Sequence, residues 1–165
     1  MQLPSSLCKR FVPVALGAAA AMAWQVITPA QANVLYTLET KCSLNRGPAQ
    51  PCTVEAKEEI GSTTYRHTIG DQEVLIKVTE DPGRMSIWNP DSATWNFLRS
   101  AGALFDNNTV CYNERDLCVV NANYLNSIAE ERPDIYDGRN LARIKFDDEG
   151  RINLSCFDDG CAEVN

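Results

Sequence analysis

The residues in this chain able to do chemistry are its cysteines, a single histidine, its clustered carboxylates and a pair of tryptophans. Six of the seven cysteines fall into close pairs: Cys42 and Cys52, Cys111 and Cys118, Cys156 and Cys161. Structural zinc asks for two close C-x2-4-C pairs or added histidines, and His67 is the only histidine. The C-x-x-C motif of a redox-active thiol pair is missing. Disulfides are the chemistry left, and six cysteines allow about fifteen pairings. Spacing favours the local scheme of 42 with 52, 111 with 118 and 156 with 161. The rival scheme joins 111 or 118 to 156 or 161 and so ties the tail to the sheet.

Carboxylates cluster in "DIYDGRN" at 134–140, "DDEG" at 147–150 and "FDDG" at 157–160. Calcium needs oxygens at set positions, and none of the three follows the D-x-[DN]-x-[DN]-G pattern with its distant Glu. Asp and Gly are also what tight turns require, and turns are the expectation here. A hydrolytic triad needs a base held by a carboxylate beside a nucleophile. His67 sits in the alternating stretch "TTYRHTIG" with no G-x-S-x-G elsewhere, so a packed or rim histidine is expected. A glycosidase-like carboxylate pair has 22 acidic residues to draw on and nothing that singles out two of them. Trp88 and Trp95 flank the turn "NPDSAT". On a hairpin they meet, and such a pair either packs into the core or offers a sugar ring or a partner an aromatic surface. The sequons at Asn107 and Asn153 matter only in a host that glycosylates.

The elements that must position these residues begin after residue 32. The chain opens with Lys9 and Arg10, the apolar run "FVPVALGAAAAMAW" and then Ala30-Gln31-Ala32, the order of a secretory signal peptide cut after Ala32. The run is shorter than the ~20 residues that span a bilayer. Residues 33–165 would then form one secreted or periplasmic domain carrying six cysteines and thirteen basic against 22 acidic residues. That acidity argues against nucleic acid and anionic membrane surfaces as partners.

Runs rich in Val, Ile, Thr, Tyr and Trp, broken by Gly, Pro and Asp about every ten residues, predict antiparallel strands. They are "VLYTLETK", "TVEAKEEI", "TTYRHTI", "EVLIKVTE", "RMSIWN", "ATWNFLR", "NTVCYN", "LCVVN", "LARIKF" and "RINLSCF". Between them "NANYLNSIAEERPDIYDG" spaces Leu125, Ile128 and Ala129 as a helix, capped at Asn121 or Asn123 and stopped at Pro133. Because opposed strand residues share a face, the cysteine pairs also imply registers. Cys42 opposite Cys52 sets Thr40 against Val54, Leu38 against Ala56 and Val34 against Ile60. Cys111 opposite Cys118 sets Tyr112 against Leu117 and Val110 against Val119. A loop at Asp148-Glu149-Gly150 sets Phe146 against Ile152, Ile144 against Leu154 and Ala142 against Cys156, with Asp147 facing Arg151, which puts Ile152, Leu154 and Cys156 on the core face.

The expected fold is therefore mainly β: an antiparallel meander forming a barrel or curved sheet with one short helix, stapled by disulfides, the alternative being a β-sandwich. The expected function is non-enzymatic binding of a small ligand, glycan or protein at the barrel mouth or near Trp88 and Trp95, without a metal or other cofactor. Two alternatives stand beside it: a small secreted hydrolase using carboxylates, and a protease inhibitor presenting the loop at 43–51 with Arg46 at its tip.

Overall fold

The computed structural model describes residues 33–162. The expected signal segment at 1–32 lies outside them. Eleven strands form a single antiparallel sheet: β1 Asn33–Leu44, β2 Gln50–Glu59, β3 Ser62–Ile69, β4 Gln72–Glu80, β5 Gly83–Asn89, β6 Thr94–Phe97, β7 Ser100–Leu104, β8 Thr109–Tyr112, β9 Leu117–Val120, β10 Leu141–Phe146 and β11 Ile152–Phe157. Two helices interrupt the run before β10, α1 at Ala122–Glu131 and the single turn α2 at Pro133–Tyr136.

The strands form where side chains alternate between a buried and an exposed face. In β2 the buried Cys52, Val54 and Ala56 alternate with less buried residues, and in β3 His67 and Ile69 flank the exposed Thr68. The β2–β3 and β3–β4 connections are two-residue turns, Ile60-Gly61 and Gly70-Asp71, with each glycine in the left-handed region at φ 73° and 58°. Such φ values match the twist of the flanking strands at no steric cost to glycine.

The strand order is β11-β10-β7-β8-β9-β1-β2-β3-β4-β5-β6. Strands β1 to β6 form a meander. The β8–β9 hairpin then returns to the free edge of β1, with Cys42 opposite Val119 and Leu44 opposite Leu117. The end strand β6 continues through Leu98 and Arg99 directly into β7, which lies near the opposite edge. One extended segment thus serves both ends of the sheet, so the sheet must curl, and it forms a half-barrel. The seam is hydrogen-bonded from Leu98 N to Met85 O (2.9 Å) and from Phe146 N to Arg99 O (2.9 Å). A sandwich would need two sheets, and all eleven strands belong to one.

The concave face holds the core: Val54, Ile69, Ile76, Leu98, Leu117 and Val119, with Cys42 and Cys52 among them. Asn121 caps α1 by accepting a hydrogen bond from Tyr124 N at 3.1 Å, and Leu125 buries the inner side of the helix. Pro133 ends α1 and also begins α2, its ring occupying the first helical position where no N–H is needed.

Cysteines 42 and 52, 111 and 118, and 156 and 161 are bonded, which is the local scheme. Cys111 lies directly opposite Cys118, with Tyr112 against Leu117 and Val110 against Val119. The other two registers differ from expectation. In β1–β2, Thr40 faces Cys52 and Cys42 faces Gln50, so the bond joins diagonal neighbours whose Cα atoms are 5.7 Å apart. The offset is two residues, so the side chains from Tyr36 to Cys42 keep their face. A further irregularity near Val34 sets it against Lys57, and Ile60 is left almost fully exposed in the turn.

In the last hairpin Gly150 takes φ 76°, Asp147 pairs with Arg151 at 2.9 Å and Phe146 faces Ile152. A bulge between Lys145 and Phe146 then shifts the pairing by one. Cys156 faces Arg143 and Leu154 faces Lys145, so Ile152, Leu154 and Cys156 lie on the face away from the core, and Ile152 is 62% exposed. The Cys156–Cys161 bond is consequently a staple on the convex side. Replacing both with alanine is expected to cost about 2 kcal/mol through the released short loop, measured by urea unfolding, with the concave core unchanged.

Candidate functional site

Paired residues on neighbouring strands share a face, so the register can be followed around the half-barrel. Ala142 faces Ala103, Ala103 faces Val110 and Val110 faces Val119. Across the sheet Val54 faces His67 and Ala56 faces Tyr65. These rows line the concave side, and the helices that follow β9 lie over its opening.

Two adjoining hollows occupy this side. The first, of about 90 Å³, is lined by Tyr36, Tyr65, Tyr112 and Tyr124 together with His67 and Asn121. The second, of about 130 Å³, shares Met85, Val110, Tyr112 and Tyr124 with the first. It runs on to Ala101, Ala103 and Tyr136. All five tyrosines of the chain and its one histidine therefore converge here, brought by β1, β3, β8, α1 and α2. Neither hollow is lined by Lys, Arg, Asp or Glu.

The small residues of β7 make the room. Ala101 and Ala103 point to the concave face beside Tyr112 and Tyr136, where larger side chains would fill the second hollow. Asn121 caps α1 and lines the first hollow together with Tyr36, so one residue links the helix start to the far wall. Phe105 and Phe157 both pack against Tyr136, with ring centroids 5.5 and 6.2 Å away.

Burial raises the hydroxyls of Tyr36, Tyr65, Tyr112 and Tyr124 above the ordinary phenol range, Tyr112 most strongly. All four stay protonated at neutral pH and can both donate and accept. His67 is 2% exposed. Burial pushes it down to about 4, against smaller opposing effects of the Val74 and Tyr65 backbone. Its Nδ1 lies 3.2 Å from the Val74 carbonyl, which can only accept, so the neutral ring carries its proton on Nδ1. The ring sits edge-on to Tyr112 with centroids 6.2 Å apart. With no carboxylate lining the hollow to hold it, His67 has the surroundings of a packed histidine, as its alternation in β3 implied.

The other candidate residues lie elsewhere. Trp88 and Trp95 are directly opposed on β5 and β6, half-buried on the convex face, edge to face at 5.4 Å. Lys77 Nζ stands 4.6 Å over the Trp95 ring, covering part of what a stacking ligand would use. Each carboxylate cluster has a member already engaged, and in the first Asp134 pairs with Arg132 at 3.0 Å at the start of α2. Asp147 accepts from the Glu149 and Arg151 amides at 3.0 and 2.8 Å. Asp158 accepts from the Leu141 and Asn140 amides at 2.9 and 2.8 Å, bonds that hold its carboxyl below the usual range. No group of three or more metal-ligating side chains occurs among the described residues.

The sequence marks the tyrosine cluster only weakly. Its only local sign is parity: Tyr36, Tyr65 and Tyr112 each fall on the inward-facing step of a strand.

Fold and site together define a disulfide-stapled antiparallel half-barrel with an uncharged, phenol-lined concave face. No protein-family model, curated protein or solved structure matches this chain.

Proposed function

We propose that this protein is a non-enzymatic binding protein whose concave hollow takes a small, neutral ligand with an apolar ring body. The observation that carries this reading is the convergence of all five tyrosines on adjoining hollows without a charged side chain. Binding pockets are concave and mostly apolar, with a few polar groups fixing orientation. Here the phenols, Asn121 and the imidazole supply those groups. The hollows fall short of the ~300–1,000 Å³ that holds drug-sized molecules, so the ligand is of one-ring size.

The three disulfides support work in an oxidising compartment, secreted or periplasmic. No helix among the described residues is long and apolar enough to cross a membrane. The hydrolase alternative wants two carboxylates facing across a cleft, and the concave hollows offer none. The inhibitor alternative wants an extended loop to enter a protease. Arg46 instead sits at φ 62°, its N–H bonded to Arg115 O and its guanidinium 3.2 Å from Glu114.

The test is thermal unfolding with millimolar p-cresol or methyl glucoside. A ligand that binds only the folded state raises the midpoint by mass action. The expected result is a concentration-dependent rise with at least one probe that disappears in Ala103→Leu, whose added side chain fills the second hollow. The reading fails if neither probe shifts the midpoint, or if Ala103→Leu keeps the full shift.

A further inference from the structure

The convex face carries a hollow of opposite character. It holds about 200 Å³ and is floored by the Cys111–Cys118 disulfide, with Lys41, Arg46 and Arg115 at its walls. The three cations come from three places: Lys41 from β1, Arg46 from the β1–β2 loop and Arg115 from the β8–β9 turn. Lys41 is outward by parity, since its neighbours Thr40 and Cys42 face the other way. The chain as a whole is acidic, with 22 acidic residues against 15 basic.

The walls are rigid. Each loop is closed at its base by a disulfide, Cys42–Cys52 for one and Cys111–Cys118 for the other. The loops are also bonded to each other, Asn45 N to Asp116 O at 2.8 Å and Arg46 N to Arg115 O at 3.2 Å. Gly47 N to Leu44 O, at 2.8 Å, folds the first loop back on itself.

The charges in the hollow are incompletely balanced. Arg46 pairs with Glu114 at 3.2 Å, both mostly exposed. Neither Lys41 nor Arg115 has a carboxylate within 4.0 Å among the described residues. The nearest acidic residue along β1, Glu39, is held by the Thr53 hydroxyl at 3.0 Å, on the β2 side and away from the hollow. An anion seated in the hollow would meet both cations and receive charge-assisted hydrogen bonds from them.

We propose that this hollow is a binding site for a tetrahedral oxyanion, phosphate or sulfate, held by Lys41 and Arg115 with Arg46 at the rim. It is independent of the concave site, from which the sheet separates it. Arg115 presents a planar fork suited to two oxygens of the anion, and Lys41 a point charge to a third.

The experiment is a titration of the protein with inorganic phosphate and sulfate at constant ionic strength, which keeps general screening from imitating binding. Amide shifts of residues 41–47 and 111–118 are followed by NMR. Saturable shifts in the millimolar range are expected, weakened at least tenfold in Lys41→Gln/Arg115→Gln and unchanged in Arg66→Gln, a convex cation elsewhere. Both cations are exposed, so the double variant should unfold at the parent temperature, and this is checked. Glucose 6-phosphate binding as well as free phosphate assigns the free ion, and tighter binding assigns an ester-borne group. Shifts that do not saturate, or that persist at full strength in the double variant, overturn the proposal.

Discussion

Between pH 7 and pH 4 this protein should lose about 3 kcal/mol of stability through His67 alone. The unfolded chain binds a proton on this ring near its ordinary 6.5, whereas the folded chain does so only near 4. Across that window the unfolded state holds more protons, so acid favours it. The contribution is fully present above about pH 6.5, declines as the pH falls towards 4, and changes little below. Each pH unit of displacement is worth about 1.4 kcal/mol, and the ring is 2% exposed, so little of that is lost to solvent screening. Its surroundings offer no compensating charge: the hollow it lines holds phenols, Asn121 and apolar side chains. Urea unfolding at several pH values checks this, with His67→Leu for comparison. Whatever that substitution does to stability at pH 7, it should flatten the slope between pH 7 and 4.5. An equal slope in both proteins would show that the proton goes elsewhere. The depressed carboxyls of Asp147 and Asp158 act lower, and their contribution is lost as the pH falls below the ordinary Asp range.

Leu98→Ala is expected to cost about 2 to 5 kcal/mol, in the range for emptying a closed core site. Leu98 is 0% exposed and sits in the two-residue link where β6 becomes β7. Its side chain joins the concave core while its N–H bonds Met85 O, and the adjacent Arg99 is bonded through its carbonyl to Phe146 and through its N–H to Asn113 Oδ1 at 2.8 Å. The site is therefore tied to two neighbouring strands by backbone bonds and to Asn113 by its side chain, and has little freedom to collapse around a missing isobutyl group. Leu98→Met, which conserves volume, should cost less than about 1.5 kcal/mol. Chemical denaturation measures both. Amide exchange at Phe146 should also speed up in the alanine variant, because its acceptor lies in the loosened link. A loss below 1 kcal/mol in Leu98→Ala would mean that the seam does not hold the half-barrel closed.

The strands that sequence revealed best are those with β-branched alternation, β3 and β4 above all. β7 escaped because Ser-Ala-Gly-Ala-Leu carries little strand preference of its own. It is a strand because β8 and β10 pair with it on both sides, and it is small because tyrosines crowd its concave face. Register was legible to different depths. An error of two residues at Cys42 and Cys52 left the side chains from Tyr36 to Cys42 on their correct face. A bulge of one residue at Lys145 and Phe146 turned Cys156 from the core side to the convex side. The cysteine spacing pointed to the bonds that form, since each closes a local loop. The candidate site was the least legible part. Each inward tyrosine looks locally like an ordinary strand or helix aromatic. They meet because β9 returns to β1 and β7 inserts between β8 and β10, long-range pairings that no short stretch encodes.

The phenol-lined hollow is the proposed ligand site, and NMR can locate a ring bound in it. With p-cresol at saturating concentration, nuclear Overhauser contacts should run from the ring to the methyl groups of Met85 and Val110, which line both hollows. They should be absent in Ala103→Leu. Contacts confined to Trp88 and Trp95 on the convex face, or no contacts at any concentration that leaves the protein folded, would contradict it.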